Sequence, residues 1–486
     1  MSLEKFNNAK ELFEKGLNFY QKEDYDLAEK SFLQSLEIIP DRLSTVRNLI
    51  SIFVKTNQIE KLNQILEKYK HLSDKKEILY GLAFSFHYKK EYEKSITICK
   101  KLITYVEFEN SIQDLLASNY KKTKFFLKAL RIYRKTLRKK KDYLIYYKLG
   151  CLFLDLGKIK SAYYYFTKSK NIKNDDVSTL WNLSLCLLQL KNLESGFSLY
   201  ENRWKKKQNP EKKKFTEIES PKNLLEIKDK KILVWDEQGL GDTLQFSRFV
   251  IDLSKYTKKI TFVVRPKLSK ILSNLNENIK VIDYNSLELD NFDFQIPLCS
   301  LPKFLNIKSI NDINYYQLNI KNKKKIKFEK KLNLNIGLAW SGNPDYFLDE
   351  YRSISFKNFN EIINIDDVNF FKLTQNMKAN DFIEYNSFSN MFDLGDKTLY
   401  EISQILKDLD LVISVDTSII HLAGILNINS ILLLNYNSDW RWFDQKKNTI
   451  WYPSVEIIKQ EKFNSWKNVF KNLKTKIEIL KNNSKK

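Results

Sequence analysis

Residues Ile232 to Phe246 read ILVWDEQGLGDTLQF. An apolar run gives way to the polar Asp236-Glu237-Gln238, then to Gly239-Leu240-Gly241, and then to a helical pattern that begins near Asp242. Strand, glycine turn and helix start follow in that order, as in a nucleotide phosphate loop. Yet the third glycine of the dinucleotide fingerprint is replaced by Leu244, and Asp242 puts a negative charge where free amides would draw a phosphate. A carboxylate in that place suits the acceptance of a proton from a neutral hydroxyl. The structural alternative is a capping box, with Asp242 accepting from backbone amides and Gln245 reaching back. Cofactor loop, catalytic loop and helix cap all remain open at this point.

Outward from this stretch the same alternation continues. KILVW, ITFVV, IKVIDY and DFQIPL are short apolar runs separated by helical patterns, and the series restarts with LNIGLAW, VNFFKLTQ, LVISVD and SILLLN. Strands alternating with helices predict parallel sheets built from βαβ units. We expect one lobe over 229–320, a basic interlobe stretch over 321–332 and a second lobe over 333–486. A helix around Phe356 to Ile363 and a final helix from Asn464 to about Lys481, packing back across either lobe, belong to the second. Ligands bind outside the carboxyl ends of parallel strands, and the unusual polar stretches DEQGLGD, SGNPDYFLDEYRS, TQN, DTS and NYNSDWRW fall at such ends. Their common placement implies one cleft with a ligand bridging two lobes.

Two further stretches supply candidate residues. In VISVDTSIIHLAG, Asp416 ends a strand, while Thr417 and Ser418 open the next helix with amides and hydroxyls suited to a diphosphate. His421, one turn in, is placed to donate to the same phosphates. In WSGNPDYFLDEYRSI, Ser341, Gly342 and Asn343 turn away from a strand, and Arg352 supplies a cation able to neutralise a leaving diphosphate.

The first two hundred residues repeat. Ala28, Ser95, Ala129, Ala162 and Gly196 form one column, with Lys61 an imperfect second member. Gly16, Leu49, Ala83, Ala117, Gly150 and Ser184 form another, and Phe32, Ile65, Cys99, Tyr133, Phe166 and Tyr200 a third. Small residues let two helices cross closely and a large one fills the adjoining gap, so the reading is a helix pair per repeat, stacked into an α-solenoid over 1–204. A basic, proline-bearing linker over 205–228 follows.

The chain has 82 basic and 59 acidic residues among 486, a net charge of +23. No recognition motif accompanies that charge, which is spread over Lys-rich faces throughout, so no nucleic-acid partner is expected. Cys99, Cys151, Cys186 and Cys299 lie far apart, and their spacing supports neither a disulfide framework nor a zinc site. No apolar signal-peptide core and no run near ~18 apolar residues is found. The expectation is a cytoplasmic chain without a transmembrane segment, with peripheral attachment to an anionic membrane left open.

The repeats resemble the tetratricopeptide family, whose usual positions are matched by Gly16, Phe19, Ala28, Phe32 and Pro40; that resemblance implies a protein partner. WDEQGLGDTLQFSRF, GLAWSGNP, YRSI, VISVDTSIIHLAG and DWRWF…WYP together resemble glycosyltransferase family nine, the heptosyltransferase-like group. They look most like its bacterial subgroup with such repeats fused ahead, and YENRW at 200–204 resembles a junction motif of that subgroup. The resemblance implies a GT-B type pair of facing Rossmann-like lobes, a nucleotide-sugar donor as co-substrate and no cofactor. It also implies inversion at the anomeric carbon without a metal. It aligns Asp242 with the general base for the acceptor hydroxyl, on a loop that includes Glu237, Gln238, Gly239, Gly241 and Gln245. Asp416, Thr417, Ser418 and His421 align with the donor-diphosphate loop. Ser418 stands where the family often has glycine, and the lysine used near the donor phosphate has no counterpart, its role being assigned to Arg352. The donor is therefore read only as a nucleotide-activated sugar and the acceptor as a glycan or protein. Two alternatives are kept: a repeat scaffold carrying a degenerate nucleotide-sugar module, and a repeat-fused transferase of another family that modifies serine or threonine.

Overall fold

The computed structural model describes residues 3–105, 109–206, 213–289, 292–320, 334–346, 349–375, 377, 379–443 and 447–484. The interlobe stretch expected at 321–332 lies outside the described residues, as do 207–212 of the expected linker. The chain folds as two compact units, residues 1–152 and 153–486.

In the first unit helices follow one another at Leu3–Gln21, Tyr25–Ile38, Leu43–Lys55, Ile59–Lys68, Lys76–Tyr88, Tyr92–Leu102, Glu109–Lys122 and Phe126–Lys139. Each helix of the middle pairs packs on its neighbour, and Lys76–Tyr88 also packs on Leu43–Lys55 and Glu109–Lys122. This is a helical repeat solenoid. Ala28, Ala83, Ser95, Ala117 and Ala129 are completely buried. A Cβ at Gly16 would stand 2.7 Å from the Phe32 ring, so the small and large columns meet in space as their spacing predicts. The second repeat corrects the reading: Lys61 is exposed and paired with Glu29 at 2.7 Å, and the buried slot is taken by Leu62.

A further periodic feature is a left-handed residue in the turn inside each pair, at Glu23, Asn57, Lys90, Lys124, Gly157 and Lys191, with φ of 60°, 57°, 63°, 64°, 65° and 66°. Only asparagine and glycine favour that conformation, so four of the six are invisible to a composition reading.

The second unit opens with helices Ile159–Ile172, Val177–Gln189 and Leu193–Tyr200 and a 3-10 turn Glu201–Lys205. Leu188, Leu193, Phe197 and Tyr200 share one apolar core with sheet residues such as Ile232, Val234 and Leu432. The repeat boundary at 204 is thus not a packing boundary; the last helices bury their apolar side against the α/β region. The described part of the expected linker is not a free tether either. Phe215 and Ile218 pack against Trp235, and Gln295 N donates to Glu219 O at 2.9 Å.

Four strands, β1 (Ile232–Trp235), β2 (Ile260–Val264), β3 (Ile279–Asp283) and β4 (Phe294–Pro297), form a parallel sheet in the order β3-β2-β1-β4. Six more, β5 (Leu334–Ala339), β6 (Val368–Lys372), β7 (Met391–Phe392), β8 (Leu411–Val415), β9 (Ser430–Leu434) and β10 (Val455–Lys459), form a second in the order β10-β9-β8-β5-β6-β7. All pairings are parallel; Ile232 is in register with Ile260 and Phe294, and Ile336 with Phe370 and Leu411. Counted from β5, the second sheet has the doubly wound order, and both sheets reverse direction next to their first strand. The loops leaving β1, β5 and β8 therefore flank the reversal points, where a ligand crevice forms in such sheets. β7, two residues long, and β10 were not read from sequence.

The expected helix at Phe356 is a 3-10 turn, Phe356–Phe359, running into the short helix Asn360–Ile363. The final helix is Lys467–Ser484, and its Val469, Leu473 and Ile477 join the core of the second sheet. No helix among the described residues is long and apolar enough to cross a membrane.

Candidate functional site

After β1 the helix Leu240–Leu253 begins with Gly239 as N-cap, so Asp242 is its third residue and not the cap. Its Oδ2 accepts from Gly239 N at 2.8 Å. Glycine has no side chain to return the bond, so only half of a capping box exists. Gln245 does not reach back: it is completely buried, and neither its Oε1 nor its Nε2 has a hydrogen-bond partner. Gln238 is left-handed at φ 63°. Arg265 holds it there, donating to its carbonyl at 2.6 Å and to Asp236 Oδ2 at 2.7 Å.

Glu237, read from sequence as part of the acceptor-side loop, faces inward and is 2% exposed. Arg203 donates to both its oxygens, at 2.9 and 2.8 Å, and Cys299 N to one at 2.9 Å. Arg203 also reaches Glu201 at 2.6 Å and Ser300 at 2.7 Å. The YENRW stretch thus ends the last repeat by locking onto the exits of β1 and β4. Burial pushes the Glu237 carboxyl up from its ordinary value while Arg203 pulls it down. Burial opposes the charge on Arg203, and Glu237 with Glu201 outweighs it, so that pKa rises.

In the second sheet, Arg352 is not a free cation. It donates to Asp349 at 3.1 Å and to the carbonyl of Asp416 at 2.9 Å. It also lies so close to Gly342 that a Cβ there would meet Nη2 at 2.4 Å. Gly342 N donates to Ser353 Oγ at 3.0 Å. Arg352 and Ser353, both from YRS, thereby pin the β5 exit to the β8 exit. Ser341 is buried, while Asn343 is exposed and accepts from Asp345 N at 3.1 Å. Thr417 caps the helix Ser418–Ile425, accepting from Ile419 N at 3.4 Å. At the TQN exit Thr374 accepts from Trp340 N at 3.0 Å, and Asn376 lies outside the described residues.

The two sheets' loops meet at Arg441, which leaves β9. Its guanidinium contacts Asp242 Oδ1 at 2.6 Å, Asp439 Oδ1 at 2.9 Å and Gln238 Oε1 at 2.9 Å. It packs over Trp440, 4.7 Å from the ring centroid. Gly241 is the second meeting point, since a Cβ there would stand 2.7 Å from His421 Cδ2. The helices Leu240–Leu253 and Ser418–Ile425 pack directly, so Gly241, the residue before Asp242, lies against His421.

His421 is 4% exposed, stacked on Trp442 at 5.2 Å, and its Nδ1 is 2.9 Å from Tyr452 Oη. Burial, with Arg441, Arg248 and Arg352, lowers its pKa to about 3. These outweigh the Asp416 carboxylate, 3.8 Å from Nε2. The imidazole is therefore neutral at neutral pH, not a cationic phosphate ligand. Arg248 packs over the Tyr452 ring, 5.1 Å from its centroid, and the other imidazole nitrogen, Nε2, faces Asp416. Asp416 itself is pushed up to about 6 by burial and the charge of Asp439, against Arg352.

Sequence reasoning did not single out Arg441, Tyr346, Tyr200 or Arg203. Tyr346 lies in the field of Asp439, Arg441, Asp416 and Arg352, and burial raises its phenol pKa. Tyr200, read as a packing column, accepts from Gln238 Nε2 at 2.6 Å, so the last repeat helix touches the site. The available signal was Trp440-Arg441-Trp442, an arginine between two indoles in the polar loop that follows β9.

No family model and no curated protein matches the chain. Solved structures similar to its N-terminal part are repeat proteins. The Cut9–Hcn1 hetero-tetramer of the APC/C aligns at 17% identity and a TM-score of 0.33, over 39% of this chain and 37% of that one. A thermophilic TPR protein of Thermus thermophilus aligns at 17% and 0.31, over 37% and 99%. PilF of Pseudomonas aeruginosa aligns at 14% and 0.33, over 40% and 90%. The helical repeats themselves rest on the packing and periodic turns above.

Proposed function

We propose that the chain is a glycosyltransferase that moves a sugar from a nucleotide-sugar donor to a hydroxyl of a glycan or protein, with the repeats engaging acceptor or partner. One observation supports this reading: the exits of the two sheets converge, with Arg441 bridging Asp242 and Gln238 of the first to Asp439 of the second, and Gly241 lying against His421 in the helix that Thr417 caps. In a GT-B type arrangement the acceptor lies against the first sheet and the donor diphosphate against the amides of Thr417 and Ser418. Asp242 takes the hydroxyl proton as the oxygen forms its bond to the anomeric carbon. The carbon–oxygen bond to the diphosphate breaks, the leaving nucleoside diphosphate keeps the electron pair, and configuration inverts. Arg441 supplies cationic charge beside that position. Residues of the chain perform each step, without a cofactor or metal.

A second reading has support of its own. Both oxygens of Asp242 are already engaged, by Gly239 N at 2.8 Å and Arg441 at 2.6 Å, as in a module that binds nucleotide and no longer turns over. Transfer and donor-hydrolysis assays across a panel of nucleotide sugars separate the two. The transferase reading expects turnover that falls about 10²–10⁴-fold in Asp242→Asn, the usual contribution of a general base, with nucleotide binding retained. Binding without turnover in the unaltered protein supports the scaffold.

A further inference from the structure

Arg441 is the cation that both sheets share. Its partners on one side are Asp242 at 2.6 Å and Gln238 at 2.9 Å, and on the other Asp439 at 2.9 Å. Two carboxylates on one guanidinium leave the cluster negative, a poor place for a diphosphate unless an anion is displaced. Arg352 cannot take that role without undoing the loops it ties, through Asp349 at 3.1 Å and the Asp416 carbonyl at 2.9 Å. Arg441 has donors to spare: its Nε is buried without a partner, and a guanidinium presents five N–H groups in a fork that fits phosphate oxygens as well as carboxylates. Its chain neighbour Trp442 stacks on His421, in the helix that Thr417 caps, at 5.2 Å.

We infer that Arg441 is a shared counter-ion, exchanged between Asp242 and the diphosphate of an incoming nucleotide, so that nucleotide binding and the freeing of the Asp242 carboxylate are one event. This rests on the nucleotide-sugar reading above and adds its order of events. With the diphosphate absent, Arg441 occupies Asp242 Oδ1 at 2.6 Å. When the diphosphate arrives, it draws Arg441 away and leaves Asp242 Oδ1 open to the acceptor hydroxyl. Because coupling between two ligands of one group is reciprocal, whatever factor the diphosphate contributes to releasing Asp242 is the factor by which Asp242 weakens the diphosphate.

That reciprocity gives a test that needs no turnover. UDP, GDP, ADP and CDP are titrated calorimetrically into the full chain, into Asp242→Asn, into Arg441→Gln and into the double variant. Asparagine keeps the shape of Asp242 and its acceptor for Gly239 N but removes the competing charge. The expected result is that the diphosphate bound by the unaltered chain binds about tenfold tighter to Asp242→Asn, within the usual 5–150-fold range of such couplings. It binds more weakly to Arg441→Gln, and in that background Asp242→Asn no longer changes affinity. Asp439→Asn, which removes the other competing carboxylate, should also tighten binding and serves if Asp242→Asn folds poorly. Unchanged or weakened affinity in both aspartate variants overturns the exchange while leaving the nucleotide-sugar reading intact, as does an equal gain with Arg441 absent. Failure of the unaltered chain to bind any nucleoside diphosphate overturns both.

Discussion

Replacing His421 with glutamine tests the electrostatics of the cluster through stability alone. The imidazole is 4% exposed and its pKa is lowered from 6.5 to about 3, by burial first and by three arginines after it. A depressed histidine contributes stability that is fully present above its unfolded pKa and is lost as pH falls through the window from 6.5 toward 3. In that window the unfolded chain takes up a proton that the folded chain refuses. Each pH unit there is worth about 1.4 kcal/mol, so acidification from pH 7 to pH 5 removes about 2 kcal/mol through this one group. Asp416 works against it. Its carboxyl is raised to about 6, so the folded state gains protons there first, and stability increases as pH falls from about 6 toward 4. His421→Gln deletes the first effect and keeps the second. Urea melts of both proteins at pH 7 and pH 5, followed by tryptophan fluorescence, give the change in stability with pH for each; packing losses cancel in that difference. The variant should lose about 2 kcal/mol less than the unaltered chain on acidification. Equal losses in the two proteins would show that the imidazole is not a buried neutral group, and the balance of charge assigned to the cluster would fail with it.

Other substitutions separate structural from chemical roles. Gly241→Ala pushes a methyl to within 2.7 Å of His421 Cδ2 and should cost about 1–3 kcal/mol in a thermal or urea melt, the usual range for overpacking. Glu237→Gln leaves Arg203 buried with half its bidentate partner gone; a loss of about 3–5 kcal/mol is expected for breaking such a pair, with no specific change in acceptor KM at temperatures where the variant is folded. Lys90→Gly and Lys124→Gly relieve left-handed backbone at φ 63° and 64° and should each raise stability by about 0.5 kcal/mol, the strain removed being partly offset by a freer unfolded chain. A decrease in Tm for both would contradict the turn geometry.

The sequence carried the architecture through period and burial. The columns through Ala28 and Phe32, and the apolar runs at β1, β8 and β9, are repeated constraints that survive one mismatch such as Lys61. It carried the loops of the site as well, because polar stretches directly after buried strands have nowhere to go but the sheet's carboxyl edge. What each loop residue does there was less legible. Glu237 and Asp242 stand five residues apart in one loop, and only the backbone turn at Gln238 sends one inward to Arg203 and the other toward Arg441. Gln245 has the spacing of a capping partner, but the helix starts at Leu240, two residues earlier than Asp242, and this rotates Gln245 into the core. Arg441 pairs with a carboxylate two hundred residues away, which no local pattern encodes. The boundary at 204 marks the end of a repeat, and where the core ends depends on Trp440 packing on Phe197, Tyr200 and Phe246, a contact between distant segments.

Everything proposed for the chemistry requires the polar cluster to be a single nucleotide-sugar site built by both sheets. Thermal unfolding of the full chain against a panel of nucleotide sugars addresses this directly, since a ligand that binds only the folded state raises its stability by an amount set by its concentration over Kd. At least one donor should raise Tm in a concentration-dependent way, with the shift diminished in both Arg441→Gln, from the cluster's centre, and Thr417→Val, from the helix start. No shift with any donor up to millimolar concentration, or a shift indifferent to both substitutions, would contradict it.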